Sequence, residues 1–382
     1  MRILLWHWGR RGGGVRYTLE LAQALKGRCD LAVSLSRQSE LYEETQRLGV
    51  PTFAVDTYHD RLSAVLALAR IPKLRRDFAD YLARGRFDAV IATMHHIWCP
   101  AFLRPIAQSG AKLIFAVHDA SAHPGDSSIG HAFMLKREVM ASQGLVALSD
   151  HVAAALRARY RFPADRLWVI PHPAFAFDRI RCDPRALPPP GQPDRLVFFG
   201  RIKPYKGLAL LLEAVRRLQA ERPVTLTIAG QGSLAPYADA LKSLKSVRVI
   251  NDWIAEGDVA GILDEAHLLV APYIEASQSG VIPSAYALGL PAVATPVGGL
   301  AEQIRPGETG LLAAAPDAGA LTAALRQIMG DPALYARCSA GALAAARGAL
   351  SWDAVALAYL RAATVVSMPP GGGIDPSALG VS

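Results

Sequence analysis

Four cysteines are scattered over 382 residues, at positions 29, 99, 182 and 338, in no spacing that a metal site uses. Neither a disulfide framework nor bound zinc is therefore expected, and the thiols read as reduced, as in a cytoplasmic protein. No run of about 18 apolar residues occurs, so no membrane-spanning helix is expected. Residues 2–7 read as a first strand and not as the apolar core of a signal peptide. Two phosphate-handling motifs are missing as well. No Asp-x-Asp pair is present to hold a divalent cation, and the glycines at 12, 13 and 14 lack the G-x-G-x-x-G spacing of a dinucleotide fold. No metal and no organic cofactor are expected, and the missing glycine spacing argues against a nicotinamide-dependent oxidoreductase.

What the chain does have is apolar material for full cores, 51% hydrophobic against 19% charged, in a length that suits two domains. Its net charge of +8 is unevenly spread. Residues 1–181 carry 25 Lys and Arg against 16 Asp and Glu, whereas 182–382 carry 16 against 17. The excess sits wholly in the first half, which is expected either to meet something anionic, such as a membrane surface or a lipid-linked phosphate, or simply to present a solvated basic face. No nucleic-acid partner is expected. The densest cluster, Arg70, Lys73, Arg75, Arg76 and Arg84, falls on a helical stretch over 61–86 that Pro72 interrupts. Leu66, Leu74, Phe78 and Leu82 form its apolar stripe. Such a helix packs on a sheet or lies on a membrane surface, and both readings stand.

Short β-type runs at 2–6, 30–34, 52–55, 88–93, 112–117 and 144–148 alternate with helical stretches. That alternation predicts a parallel sheet covered on both faces, with ligands collecting at the carboxyl ends of its strands. Gly12 to Gly14 lie at one such end. His118 and Asp119 lie at another, directly after KLIFAV, in a loop that also holds His123. Residues 181–194, RCDPRALPPPGQPD, read as a linker. The expected layout is therefore a first domain over 1–180, a second over 195–350, a helix over 351–366 and a disordered tail over 367–382.

In the second half LVFFG leads into RIKPYKG, where Arg201 and Lys206 flank a turn at a strand's carboxyl end, a suitable place for two cations to grip a diphosphate. The most informative stretch is 271–302. Its frame is a strand over 268–271, a helix opening near Ser279 and Gly280, and a strand over 292–295. A helix start of small residues leaves N–H groups free for a phosphate. Glu275, just before it, can accept hydrogen bonds from hydroxyls. Phosphate at one end and hydroxyls at the other describe a nucleotide sugar, although the same Ser and Gly also serve as a plain cap. Trp253, near the end of VRVIND, faces a nucleobase or fills a core.

At FFGRIKPYKGLALLLEA and PYIEASQSGVIPSAYALGLPAVATPVGGLAE the chain resembles the retaining, family-4-type glycosyltransferases of the GT-B class. The resemblance implies an α/β fold of two Rossmann-like domains facing across a cleft, with the C-terminal helix crossing back to the first. It implies a nucleotide-sugar donor on the second domain and a saccharide or lipid-linked saccharide acceptor on the first. By it, Arg201 and Lys206 hold the donor diphosphate, Glu275 binds sugar hydroxyls, and the amides around Ser279, Gly280 and Val281 meet the phosphates. His118 stands beside the reacting sugar, and Gly13 and Gly14 face donor phosphate and acceptor, with Asp119 and His123 on the acceptor side.

One departure matters. The family pairs two glutamates with seven residues between them, and the eighth position after Glu275 is Pro283. The ribose contact of the second glutamate is then lost, moved to a residue such as Glu302, or made by backbone. The run IPHP at 170–173 stands where many relatives have Asn–Gly and leaves the role of His172 open. The activity implied is metal-independent, retaining hexosyl transfer in cell-surface polysaccharide biosynthesis, at the cytoplasmic side and peripheral to the inner membrane face. A catalytically silent nucleotide-sugar-binding relative is the alternative that Pro283 raises. No carboxylate nucleophile is visible, so front-face attack is expected, the departing phosphate helping to deprotonate the acceptor hydroxyl.

Overall fold

Short apolar strands separated by helices bury both faces only in parallel sheets, and two such sheets form in the computed structural model, which describes residues 1–120, 128–175, 181–189 and 191–368. The first contains β1 (Arg2–His7), β2 (Asp30–Ser36), β3 (Thr52–Val55), β4 (Ala89–Ala92), β5 (Lys112–Val117), β6 (Gly144–Ala147) and β7 (Leu167–Val169). Their order is β3-β2-β1-β4-β5-β6-β7, with every neighbouring pair parallel. The second contains β8 (Asp194–Phe199), β9 (Val224–Ala229), β10 (Val247–Ile250), β11 (Leu268–Ala271), β12 (Ala292–Ala294) and β13 (Gly310–Leu312), in the order β10-β9-β8-β11-β12-β13, again parallel. Strands β7 and β13 are additions to the sequence reading.

In each sheet the strand order reverses once, between β1 and β4 and between β8 and β11. A doubly wound sheet opens a crevice at such a reversal. The strands that follow these reversals are covered on both sides: β4 and β11 are buried at every residue. Under the first sheet Trp6, Trp8, Phe78 and Phe102 interlock, Trp8 meeting Phe102 edge-on at 4.5 Å. Phe78 comes from the helix Ile71–Gly85, so that part of the basic stretch packs on the sheet. Pro72 sits in the first turn of that helix, where its missing N–H costs no helical bond.

The described residues divide into two units, 1–120 with 128–171 and 352–368, and 172–351. The last helix, Trp352–Ser367, belongs to the first unit. It packs on the helix Gly13–Leu25, where the Tyr359 and Tyr17 hydroxyls meet at 3.0 Å and the Trp352 ring stands edge-on to Tyr17 at 5.1 Å. The stretch expected as a linker lies inside the second unit. Arg185 is buried there, giving hydrogen bonds to the carbonyls of Leu288, Asp264 and Ala266 and to the Asp264 carboxylate. One guanidinium satisfying three carbonyls fixes a proline-rich segment that has few apolar side chains of its own. Asp194, its last residue, opens β8 and is paired with Arg222 at 2.7 Å. The tail from 369 on lies outside the described residues, as does His123.

Candidate functional site

In the second unit a site is built where β8 and β11 diverge. Gly207 turns the chain back after β8 with φ of 68°, and a Cβ there would stand 1.8 Å from the carbonyl oxygen of Pro272. The loops after β8 and β11 therefore meet backbone to backbone, which only glycine permits. The Ile274 N–H donating to the Tyr205 carbonyl at 2.7 Å closes the seam. Lys206 stands beside it. Its Nζ donates to the Tyr273 hydroxyl at 2.5 Å and lies 4.1 Å from the centroid of that ring. The same hydroxyl meets Ser279 Oγ at 3.1 Å. A Cβ on Gly200 would be 3.6 Å from Lys206 Nζ and 3.8 Å from Val281 Cγ2, so the cation and the helix start converge at the end of β8. Arg201 is the next residue and is exposed. Neither cation is paired with a carboxylate among the described residues.

The helix start is Val281–Ala287, two turns long with Gly280 as its cap. Here the structure narrows the expectation about the amides. The Ser279 N–H donates to Gln303 Oε1 at 2.7 Å, and the Ser279 carbonyl accepts from Gln303 Nε2 at 2.9 Å. That amide is already committed, and Ser279 offers its hydroxyl in the Lys206–Tyr273–Ser279 chain. Glu275 is exposed on the loop between β11 and this helix, and Glu302 is exposed on the short helix Leu300–Gln303, one residue from the side chain that clamps Ser279. Pro283 is buried in the first turn, where a proline is tolerated. His172 is buried with its ring over Gly280. Its Nδ1–H donates to the Pro173 carbonyl at 2.9 Å, and a Cβ on Gly280 would be 2.9 Å from Nε2. Trp253, at 42% exposure, is not a core residue.

In the first unit the glycine loop follows β1. Gly12 has φ of 84°, and its N–H donates to Glu40 Oε1 at 2.6 Å. Gly14 is closely packed, since a Cβ there would lie 2.5 Å from Met94 Sδ and 3.1 Å from the His7 ring, whereas one on Gly13 would meet nothing. His118 at the end of β5 is buried, and its Nε2–H donates to the Thr93 carbonyl at 2.9 Å. The Thr93 hydroxyl meets the Thr18 hydroxyl at 2.6 Å, and Thr18 also donates to the Gly14 carbonyl at 2.8 Å, so histidine and glycine loop share one network. Tyr17 stands edge-on to His118 at 5.5 Å. Burial lowers the His118 pKa, and Asp119, half-buried beside it, acts the other way. The ring is held neutral with its proton on Nε2.

Three further histidines gather at this edge, and sequence reasoning did not single them out. His7 closes β1, and burial brings its pKa down to about 4. His96 follows β4, with burial lowering its pKa well below the usual value. His95 Nδ1 meets both carboxylate oxygens of Glu138, at 2.8 and 2.9 Å, and Glu138 is fully buried on the helix Ser128–Ala141. Burial raises the Glu138 pKa, while His95 opposes that rise. The signal for His7 was its place at a strand's carboxyl end, the same one that marked His118. For the His95–Glu138 pair there was none, because the contact spans 43 residues.

Comparison with known proteins bears on these two constellations. Residues 11–174 match the family model described as Glycosyltransferase Family 4, and residues 193–331 the one described as Glycosyl transferases group 1. The chain is 30% identical over 315 residues to D-inositol 3-phosphate glycosyltransferase of Streptomyces coelicolor, covering 71% of this chain and 67% of that protein. It is 31% identical over 182 residues to a glycogen synthase of Mycobacterium tuberculosis, covering 44% and 41%. Among solved structures, Anabaena HepE in complex with UDP and glucose superposes with a TM-score of 0.73 at 16% identity, over 96% of this chain and all of that one. The lipopolysaccharide outer core galactosyltransferase WaaB superposes with a TM-score of 0.69 at 16% identity, over 96% and 100%. The two parallel sheets thus have the architecture of the GT-B glycosyltransferases, and the chain belongs to glycosyltransferase family 4.

Proposed function

We infer that the protein transfers a hexosyl group from a nucleotide sugar, bound by the second unit, to a hydroxyl of a saccharide or lipid-linked saccharide, bound by the first. The observation that carries this reading is the convergence of Lys206 and the Val281 helix start at the sheet reversal, with Arg201 next in sequence to Gly200 and Glu275 on the adjoining loop. Two cations and a helix start stabilise a departing diphosphate by fixed charge, so the reaction proposed needs no divalent cation. Glu275 would hold donor hydroxyls and His118 would position the sugar. With no carboxylate assigned as a nucleophile among the described residues, retention by front-face attack is the mechanism proposed. Glu302 is the candidate to replace the ribose contact. Complexes of HepE with UDP and UDP-glucose support a uridine nucleotide as the first donor to try. The role proposed is in cell-surface polysaccharide assembly at the cytoplasmic membrane face, and WaaB, of the same fold, is named a lipopolysaccharide outer core galactosyltransferase. Among the described residues no single helix is long and apolar enough to cross a membrane.

A thermal-shift panel of nucleotide sugars tests the donor, since a ligand of the native state raises the melting temperature. Absence of any shift across uridine, guanosine and adenosine diphosphate sugars would sink the reading. Arg201→Ala and Lys206→Ala are each expected to weaken binding of the free nucleoside diphosphate by about tenfold, the loss of one charge-assisted hydrogen bond. His118→Ala should leave that affinity intact and lower turnover. Equal losses of affinity in all three would place His118 among the nucleotide contacts. Transfer that survives EDTA would fit reliance on fixed cations. The second reading, a silent nucleotide-sugar binder, is favoured only by Pro283 in place of a glutamate, and it requires binding without transfer or hydrolysis.

A further inference from the structure

A lysine reaches a ligand on a long flexible stem, and fixing that stem on binding costs affinity unless the side chain is already held. A carboxylate would hold it but cancel the charge that a diphosphate needs. Lys206 is held by a neutral group instead. Its Nζ donates to the Tyr273 hydroxyl at 2.5 Å and stands 4.1 Å from the centroid of the same ring, so hydrogen bond and cation–π contact come from one side chain. That bond uses one of the three ammonium hydrogens. Lys206 is half-buried, whereas Tyr273 is 2% exposed.

Tyr273 is itself fixed at both ends. The Thr295 hydroxyl, just past β12, donates to the Tyr273 carbonyl, and the next N–H, that of Ile274, is bound to the Tyr205 carbonyl at 2.7 Å. At the other end the buried phenol must place its own hydrogen, and an ammonium offers no acceptor. Ser279 Oγ, at 3.1 Å, is the acceptor available among the described residues, so the chain of donation runs from Lys206 to Tyr273 to Ser279. Ser279 cannot swing away, because Gln303 grips its N–H at 2.7 Å and its carbonyl at 2.9 Å. Arg201 is the contrast. It is exposed, and no hydrogen bond or ion pair ties its side chain among the described residues. Of the two cations at the end of β8, one is aimed before a ligand arrives and the other is not.

We propose that Tyr273 is a positioning residue of the donor site, its hydroxyl holding the Lys206 ammonium ready for the diphosphate without neutralising it. The proposal takes its ligand from the nucleotide-sugar reading, and Tyr273 acts in it only through Lys206. The test is a double-mutant cycle on the full chain, with UDP, GDP and ADP titrated by calorimetry and the tightest of the three carrying the cycle. Tyr273→Phe keeps the ring and loses the hydroxyl, and is expected to weaken binding about fivefold. In a Lys206→Ala background the same substitution should change affinity by less than about twofold, because nothing is left to position. In an Arg201→Ala background it should again cost about fivefold. A purely structural tyrosine would give one factor in all three backgrounds. That result overturns the proposal, and so does an unchanged affinity in Tyr273→Phe alone. Where Tyr273→Phe lowers the thermal midpoint, Ser279→Ala, which removes the support behind the phenol, is put through the same cycle and judged by the same results. Inorganic pyrophosphate, titrated beside the nucleotides, keeps the two readings apart. Binding of pyrophosphate without any of the three nucleotides sinks the nucleotide reading, and the cycle on pyrophosphate then decides the role of Tyr273. Binding of none of the four overturns both.

Discussion

Replacing Glu275 by glutamine is expected to lower sugar transfer by about 100-fold or more, equivalent to roughly 3 kcal/mol of transition-state stabilisation, without changing thermal unfolding. The substitution keeps the shape and one acceptor oxygen but removes the charge and the second acceptor, which a sugar presenting two adjacent hydroxyls would use. Glu275 is exposed on its loop, and surface substitutions of this kind usually shift stability by less than about 0.5 kcal/mol. The loss should therefore appear in turnover and not in folding. The loop itself is held elsewhere, by Gly207 against Pro272 and by Ile274 against Tyr205. Measuring steady-state transfer with the donor found in the thermal-shift panel decides the matter. Near-normal turnover with an intact fold removes Glu275 from the site.

The two loops that meet at the reversal of the second sheet were legible because the parts of each are close in sequence. Gly200 to Gly207 and Ala271 to Val281 are two uninterrupted stretches, each following a strand, and strand reversal brings them together. Nothing in either stretch announced Gln303, which grips both backbone groups of Ser279 from 24 residues away. Its side chain commits an amide that local reasoning had left open to a phosphate. The first unit was harder to read for the same reason. His118 and Gly14 are tied through Thr18 and Thr93, partners 75 residues apart, and a threonine carries no signal until its neighbour is known. The segment 181–194 misled in the opposite direction. Proline and few apolar residues suggest a loose connector, but Arg185 takes the place of an apolar anchor by satisfying carbonyls that would otherwise be buried without donors. Composition reads apolar burial well and polar burial poorly.

Acid should destabilise the protein, and the first unit before the second. Burial brings the pKa of His7 from 6.5 down to about 4 and lowers those of His96 and His118, all three in the first unit. In the second unit His267 is likewise brought to about 4. These rings bind protons near pH 6.5 in the unfolded chain, whereas folding holds them off to lower pH, for His7 and His267 to about pH 4. The stability these neutral rings contribute is thus fully present above pH 6.5 and is lost as pH falls towards 4. For His7 alone the difference is worth about 3 kcal/mol. Two carboxyls act in the opposite sense. Burial raises the pKa of Glu138 and of Asp194, so their protonation favours the folded state as pH falls, but His95 and Arg222 limit that rise. Three histidines against one carboxyl in the first unit leave a net loss there. Thermal unfolding at pH 7 and pH 4.5, with hydrogen exchange to resolve the two units, should show a lower midpoint in acid and earlier opening around β1, β4 and β5. His7→Gln should flatten part of that dependence, because the amide does not titrate. An unfolding midpoint that stays constant between the two pH values would mean that these rings are not held neutral by burial, and with that the case for a neutral His118 would fall.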